Sequence, residues 1–228
     1  MSKKRFKLVP EMEGRMARWY ARQRATESQL AAVRKQATKL THGLSNGARV
    51  LEIAPGPGYL VVEIARLGRF DVTGLDISPT FVAIACENAR QAGGNVEFQL
   101  GDAAAVPFEA HSFDLVLCQA AFKNFVEPVG ALNETHRVLR PGGTAIFQDL
   151  SRDASNADID REVRAMKLTR FNTLTTKFVL GTVLRRRAYT PAQFEHLVAE
   201  SDFRTCAIRK DGIGLEVRLK KSGLKRAA

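Results

Sequence analysis

Between residues 45 and 150, short apolar strands and helix-spaced segments alternate without interruption, and this pattern constrains the fold more than any other feature. Arg49-Val50-Leu51-Glu52-Ile53 is an apolar, β-branched run, and Tyr59 to Leu67 follows with helical spacing. Phe70 to Leu75 is a second strand that closes at Asp76. Ser78-Pro79 then supplies an N-cap hydroxyl and a proline at the first helical position, opening a helix to about Gln91. Further strands are expected at Asn95–Leu100, Phe113–Cys118 and Thr144–Phe147, with a helix from Pro128 to Leu139 stopped by Pro141-Gly142-Gly143. Connections this short predict an α/β fold, a parallel sheet covered by helices on both faces. Arg204–Arg209 and Gly214–Leu219 add a closing hairpin, which makes seven strands, mostly parallel with the last antiparallel.

Charge separates this region from what flanks it. The 228 residues carry a formal net charge of +11, but residues 41–150 hold 7 basic and 12 acidic side chains. Residues 1–40 hold 11 basic and 3 acidic, and residues 151–228 hold 17 and 9, so each flank is net +8. An apolar fraction of 45% with scattered charge excludes a disordered chain. No apolar run approaches the roughly 18 residues of a membrane span. The basic start Met1-Ser2-Lys3-Lys4-Arg5 leads into mixed polar sequence, and Cys86, Cys118 and Cys206 form no close pair. A cytoplasmic protein with reduced thiols and no metal site is expected.

Parallel sheets of this kind bind ligands beyond the carboxyl ends of their strands, so the residues just after each strand carry the functional information. After the first strand stands Ala54-Pro55-Gly56-Pro57-Gly58-Tyr59. Gly56 and Gly58 permit a sharp turn and close approach of a ligand, and the following helix turns free N–H groups toward it. A dinucleotide fingerprint needs a third glycine three residues on, where this chain has Val61; a phosphate loop needs a Lys-Ser/Thr pair, also missing. The turn therefore suits a ligand without phosphates. Asp76 ends the second strand, placed to accept from both ribose hydroxyls. Asp102 follows the third, where a carboxylate can accept from an adenine amino group. With Glu52, three acidic residues stand at the ends of three successive strands, a setting that favours a sulfonium cation with an ammonium group.

Val50-Leu51-Glu52-Ile53-Ala54-Pro55-Gly56-Pro57-Gly58, Thr73-Gly74-Leu75-Asp76-Ile77-Ser78, Gly101-Asp102-Ala103 and Val138-Leu139-Arg140-Pro141-Gly142-Gly143 resemble class I S-adenosylmethionine-dependent methyltransferases, in order and spacing, over roughly residues 45–150. Within them the chain is most similar to the small-molecule branch that includes the ubiquinone/menaquinone C-methyltransferases. The resemblance implies a Rossmann-like methyltransferase sheet and S-adenosyl-L-methionine as cofactor. It implies that Glu52, Gly56 and Gly58 line the methionine end, Asp76 binds the ribose and Ile77 packs on the adenine. Asp102 and Ala103 would meet the adenine edge, Gln119 would lie beneath the sulfonium, and Tyr20 would approach the methionine end from an N-terminal helical cap. One departure stands out: the usual first glycine of the turn is Ala54, tolerable if that residue keeps a β conformation.

The expected organisation is a single methyltransferase domain: cap 1–44, cofactor-binding core 45–150, helical lid 151–190, and C-terminal helix and hairpin 191–228. Methyl transfer needs chiefly in-line placement of a nucleophile about 3 Å from the methyl group, with water excluded. The acceptor is read as a small molecule, with Phe122, Lys123 and Asn124 after the fourth strand as acceptor-side candidates. Lys123-Asn124 stands where the quinone-type enzymes carry Arg-Asn. The lid is read as helical from about Ala157 to Arg187, breaking at Asn172-Thr173, with Ile159, Val163, Met166, Leu168, Phe171, Leu174, Phe178, Val179 and Leu184 as its apolar stripe. No histidine has a triad-like or metal-like partner, and Cys118 is read as buried rather than nucleophilic.

Three other functions stay open at this level. The basic flanks and Arg185-Arg186-Arg187 favour an RNA methyltransferase, though no catalytic motif for nucleic-acid bases follows the fourth strand. A dehydrogenase would need the third glycine. A non-catalytic cofactor-binding protein conflicts with no feature. The flanks also leave room for peripheral contact with an anionic membrane, or for solubility alone. Oligomeric state is not legible.

Overall fold

Strong local signals put most elements within a residue or two of their expected bounds in the computed structural model, which describes residues 12–94, 96–165 and 170–223. Its first helices are α1 (Gly14–Arg24) and α2 (Glu27–Leu40). The alternating region comprises β1 (Arg49–Ile53), α3 (Tyr59–Ala65), β2 (Asp71–Asp76), α4 (Pro79–Gln91), β3 (Glu97–Leu100), β4 (Phe113–Gln119), α5 (Pro128–Val138) and β5 (Leu139–Leu150). Beyond it lie α6 (Asn156–Ala165), α7 (Arg170–Phe178), a π-helix Val179–Leu184, the short α8 (Arg185–Arg187), α9 (Pro191–Glu200), β6 (Ala207–Asp211) and β7 (Gly214–Lys220). The strands form one sheet in the order β3-β2-β1-β4-β5-β7-β6. Pairs β2–β3, β1–β4 and β4–β5 are parallel, and β7 is antiparallel to both β5 and β6. The order reverses at β1 and β4, the switch point at which such sheets take ligands.

The chain packs as two compact units. One comprises the described residues to Ala48 together with Pro55–Asp102. Here α1 packs on α4 and α2 on α3, and Ser78 caps α4 by accepting from the Phe81 N–H at 3.1 Å. The other comprises Arg49–Ala54 and the described residues from Ala103 onward. Its centre is β1, β4 and β5, whose Val50, Ile53, Leu115, Leu117, Ala145 and Phe147 are buried. Thr190 and Gln193 form a reciprocal capping box at the start of α9.

Two expectations are corrected. Pro141-Gly142-Gly143 does not separate helix from strand; it lies inside β5. The reason is backbone pairing, since the Gly142 N–H donates to the Lys221 carbonyl at 2.9 Å and the Lys221 N–H to the Gly143 carbonyl at 3.0 Å. The helical stretch expected over 157–187 does not break at Asn172-Thr173, because α7 runs through them and passes directly into the π-helix. Its expected apolar stripe also divides. Ile159 and Val163 are buried with Ala154, whereas Leu174, Phe178 and Val179 are exposed. Asn95, Met166 and Leu168 lie outside the described residues.

Candidate functional site

In the first unit the site is built around Asp76, 6% exposed at the end of β2. Its carboxylate is held from two sides: the Gly56 N–H donates to Oδ2 and the Ser78 N–H to Oδ1, each at 2.9 Å. Burial raises the Asp76 pKa, and the nearby Glu13 carboxylate adds to that, against the opposing backbone N–H groups of Ser78 and Gly56. Each oxygen keeps a further lone pair, so the group can still accept two hydroxyl donors. Gly101 joins the arrangement by donating its N–H to the Asp76 carbonyl at 2.9 Å, which sets the exposed Asp102 one residue away. Ile77 is 67% exposed, a large apolar side chain left at the surface beside a buried acid.

The two glycines of the turn do different work. Gly56 has φ +54°, and a Cβ there would meet nothing closer than Phe81 Cε1 at 4.0 Å, so its surface is open to a ligand. Gly58 has φ +76°, and a Cβ there would fall 2.8 Å from both Ala85 Cβ and Phe98 Cζ. Gly58 therefore admits close packing of α4 and β3 behind the turn rather than lining its open side. Tyr20 lies edge-on to Phe81 with ring centroids 6.0 Å apart.

Sequence reasoning missed the residues that fasten the N-terminal segment to this end of the unit. Gly14 N–H donates to Thr80 Oγ1 at 3.0 Å, Ser78 Oγ to the Met12 carbonyl at 3.3 Å, and Thr80 Oγ1 to the Glu13 carboxylate. Hydrogen bonding of the Ser78 and Thr80 hydroxyls to the Glu13 carboxylate lowers its pKa. Tyr59 Oη donates to the Ala21 carbonyl at 2.9 Å, tying α1 to α3. All are contacts between residues 38 or more apart, for which a single sequence carries no local signal.

In the second unit, Glu52 is buried in β1 opposite Leu117. Gln119, at the end of β4, donates through Nε2 to Gln148 Oε1 at 2.8 Å, and Gln148 Nε2 donates to Glu216 Oε2 at 2.9 Å. Burial would raise the Glu216 pKa, but Arg218, Gln148 and Arg209 outweigh it and the net shift is downward. Ala103 is buried. Phe122 is 1% exposed and stacks on Phe194 at 4.7 Å, with Phe147 at 5.1 Å, so its ring is a core element rather than a free wall. Lys123 is also withdrawn from solvent: Nζ binds Asp149 Oδ1 at 2.7 Å and the Ala120 carbonyl, while the Lys123 N–H donates to Asp149 Oδ2 at 3.0 Å. Asn124 Oδ1 accepts from Arg187 Nη1 at 3.4 Å. The Cys118 thiol is buried and its pKa is pushed well up by burial. Among the described residues no cluster of three His, Cys, Asp or Glu side chains could hold a metal.

The expectation for Ala54 is overturned. Its φ is +56°, and Ala120, just after β4, has φ +54°. Two alanines with left-handed backbones thus follow the neighbouring strands β1 and β4, each in a conformation that costs about 1–2 kcal/mol for a residue with a Cβ.

Comparison with known proteins bears on this geometry. A methyltransferase-domain family model matches residues 51–147. The demethylmenaquinone methyltransferase of Chlorobaculum parvum is 37% identical over 111 residues, 49% of this chain and 44% of that protein. The ubiquinone biosynthesis O-methyltransferase of Roseobacter denitrificans is 32% identical over 107 residues, 47% of this chain and 43% of that one. The matches thus span less than half the length of these relatives. A SAM-dependent methyltransferase from Aquifex aeolicus shares the fold, with a TM-score of 0.68 and 16% identity over 89% of this chain and 97% of its own. The matched stretch runs from β1 into β5 and includes the turn at Gly56, the carboxylate of Asp76 and the switch point, and over these residues the chain is similar to methyltransferase domains.

Proposed function

We propose that this chain transfers a methyl group from S-adenosylmethionine to a small-molecule acceptor. The observation that carries the reading is the buried, doubly held carboxylate of Asp76, with an open left-handed glycine at one side and the exposed Ile77 at the other. That combination fits a nucleoside: a fixed acceptor for ribose hydroxyls, space for close backbone approach, and an apolar surface for a base. Asp76, its carboxylate oriented by the Gly56 N–H, would hold the ribose side, with Ile77 and Asp102 at the adenine. The resemblance assigns Glu52 and Gln119 to the methionine end. When bound, the cofactor supplies an electrophilic methyl on sulfur, and the protein's task is to orient both partners and exclude water.

The same reading accounts for the lack of an assigned base. Lys123 is bound to Asp149 and Phe122 is packed in the core, so both support the segment after β4. An acceptor that is already nucleophilic needs no more than placement. The relatives' names, drawn from quinone biosynthesis, favour an aromatic hydroxylated acceptor, and the free cysteines suit a cytoplasmic setting.

Titration calorimetry with S-adenosylmethionine and its demethylated product tests the reading. Wild-type protein should bind both, and Asp76→Ala should weaken binding at least tenfold, about 1.4 kcal/mol. If wild type binds neither, the assignment fails. A product-release assay across phenols, amines, thiols and quinols then identifies the acceptor.

A further inference from the structure

The lid presents an apolar surface that the methyl-transfer reading does not use. Leu174 is 70% exposed, Phe178 65%, and Val179 and Val183 37% each. These four follow one another along α7 and the π-helix at steps of four, one and four residues, so they form one continuous stripe. The other side of the same helical run is already satisfied, because Leu180 packs against Ala154, Ile159 and Val163. A helix apolar on two sides, with one side in water, is not a solvated surface helix.

Charge identifies what would cover it. Residues 170–187 contain Arg170, Lys177, Arg185, Arg186 and Arg187 and no acidic residue. Lys177 is paired with Asp160 at 2.9 Å, and Arg185 donates to the Ala154 carbonyl and to Asn156, which fastens the middle and the C-terminal part of the run to the fold. Arg186 is exposed. Large aliphatic and aromatic side chains beside Arg185, Arg186 and Arg187, whose partners are neutral where they have any, match an anionic lipid headgroup layer over a hydrocarbon boundary. Nucleic acid would satisfy the cations but has little use for Leu174, Val179 and Val183.

We propose that α7, the π-helix and α8 form a peripheral docking surface for an anionic phospholipid bilayer, with Leu174, Phe178, Val179 and Val183 entering the headgroup boundary and Arg186 pairing with lipid phosphates. The surface requires no bound cofactor, so its test is independent of methyl transfer.

The experiment is flotation of the full chain with vesicles of equimolar phosphatidylcholine and phosphatidylglycerol, and with vesicles of phosphatidylcholine alone. The chain should float with the anionic vesicles and much less with the neutral ones, and raised salt should weaken the binding. Leu174→Gln combined with Phe178→Gln should reduce partitioning about tenfold or more, since each buried methylene contributes about 0.8 kcal/mol. These side chains are solvent-exposed, so circular dichroism should show an unchanged fold. Arg186→Glu should reduce binding to the anionic vesicles alone. Absence of flotation at low salt overturns the proposal, as does equal flotation of the double glutamine variant. So would a dimer in sedimentation velocity that the double variant dissolves, or salt-sensitive binding to bulk RNA in place of vesicles. Loss of vesicle binding with calorimetric cofactor binding intact would leave the methyltransferase assignment standing.

Discussion

At the scale of the residue, the most informative positions are two alanines that hold a glycine's conformation. Ala54 and Ala120 follow the carboxyl ends of the adjacent strands β1 and β4, and both have φ above +50°. Strain of this kind persists only where surrounding structure enforces it; Ala120 is held by its N–H to the Gln148 carbonyl at 2.7 Å and by Lys123 at its own carbonyl. Ala54→Gly should therefore stabilise the protein by about 1 kcal/mol, the relief of the left-handed strain less the entropy glycine adds to the unfolded chain. Urea denaturation would show it as a higher midpoint at unchanged slope. A lower midpoint would mean the Ala54 methyl contributes packing that outweighs its strain. These residues also mark the limit of what a sequence discloses. Asp76, Gly56 and Ile77 were legible because each sits at a fixed offset from a recognisable strand. Alanine does not advertise a positive φ, and the Lys123–Asp149 pair joins residues 26 apart, so neither could be read from local pattern.

At the scale of the element, the best-read boundaries were those with a chemical marker. Ser78-Pro79 and Thr190-Pro191 start helices as expected because a hydroxyl cap and an N1 proline act within one turn. The helical stretch over 157–187 was read less well. Its apolar spacing predicted burial, yet periodicity reports only that side chains share a face, not that another part of the chain covers it. The Asn172-Thr173 break failed because those residues carry only modest helix penalties, too small to end a helix without a Gly or Pro beside them. Ser78 allows the element and the site to be separated. Its hydroxyl caps α4 and reaches the Met12 carbonyl, while its contact to Asp76 is made by the backbone N–H. Ser78→Ala should cost about 1 kcal/mol of stability through the lost cap. It should leave cofactor affinity within about twofold, because the Asp76 carboxylate keeps both of its backbone donors. A large loss of affinity in calorimetry would instead show that the Met12 contact itself shapes the ligand site.

At the scale of the whole molecule, the number of strands, the mostly parallel sheet and the net charge of each segment were readable, whereas the spatial order of the strands and the division into two packing units were not, because they depend on contacts between distant parts of the chain. The formal charge of +11 belongs to the flanks, and the carboxylate on which the functional reading turns lies in the acidic centre. That carboxylate links ligand binding to global stability. Its pKa is raised in the folded state, so the protonated form is favoured by folding, and Asp76's own contribution to stability declines as pH rises through the interval between the unfolded and folded values. Ionised Asp76 is then a cost to the free protein that hydroxyl donors from a ribose offset. A ligand that binds only the folded chain stabilises it by about 2.7 kcal/mol at a hundred times its Kd. For a domain of this size that corresponds to a rise in Tm of about 5–10 °C. Near neutral pH the demethylated product of S-adenosylmethionine should produce this rise in wild type and no more than about half of it in Asp76→Ala at the same concentration, as a loss of affinity of tenfold or more requires. On acidification the rise should shrink before the protein itself unfolds, as Asp76 takes up its proton and loses acceptor capacity. Glu13→Gln should move that acid limb to lower pH, since it removes the neighbouring charge that helps raise the Asp76 pKa. Thermal melts with and without ligand across a pH series would measure all three, and a ligand-induced shift equal in wild type and Asp76→Ala would remove Asp76 from the binding site.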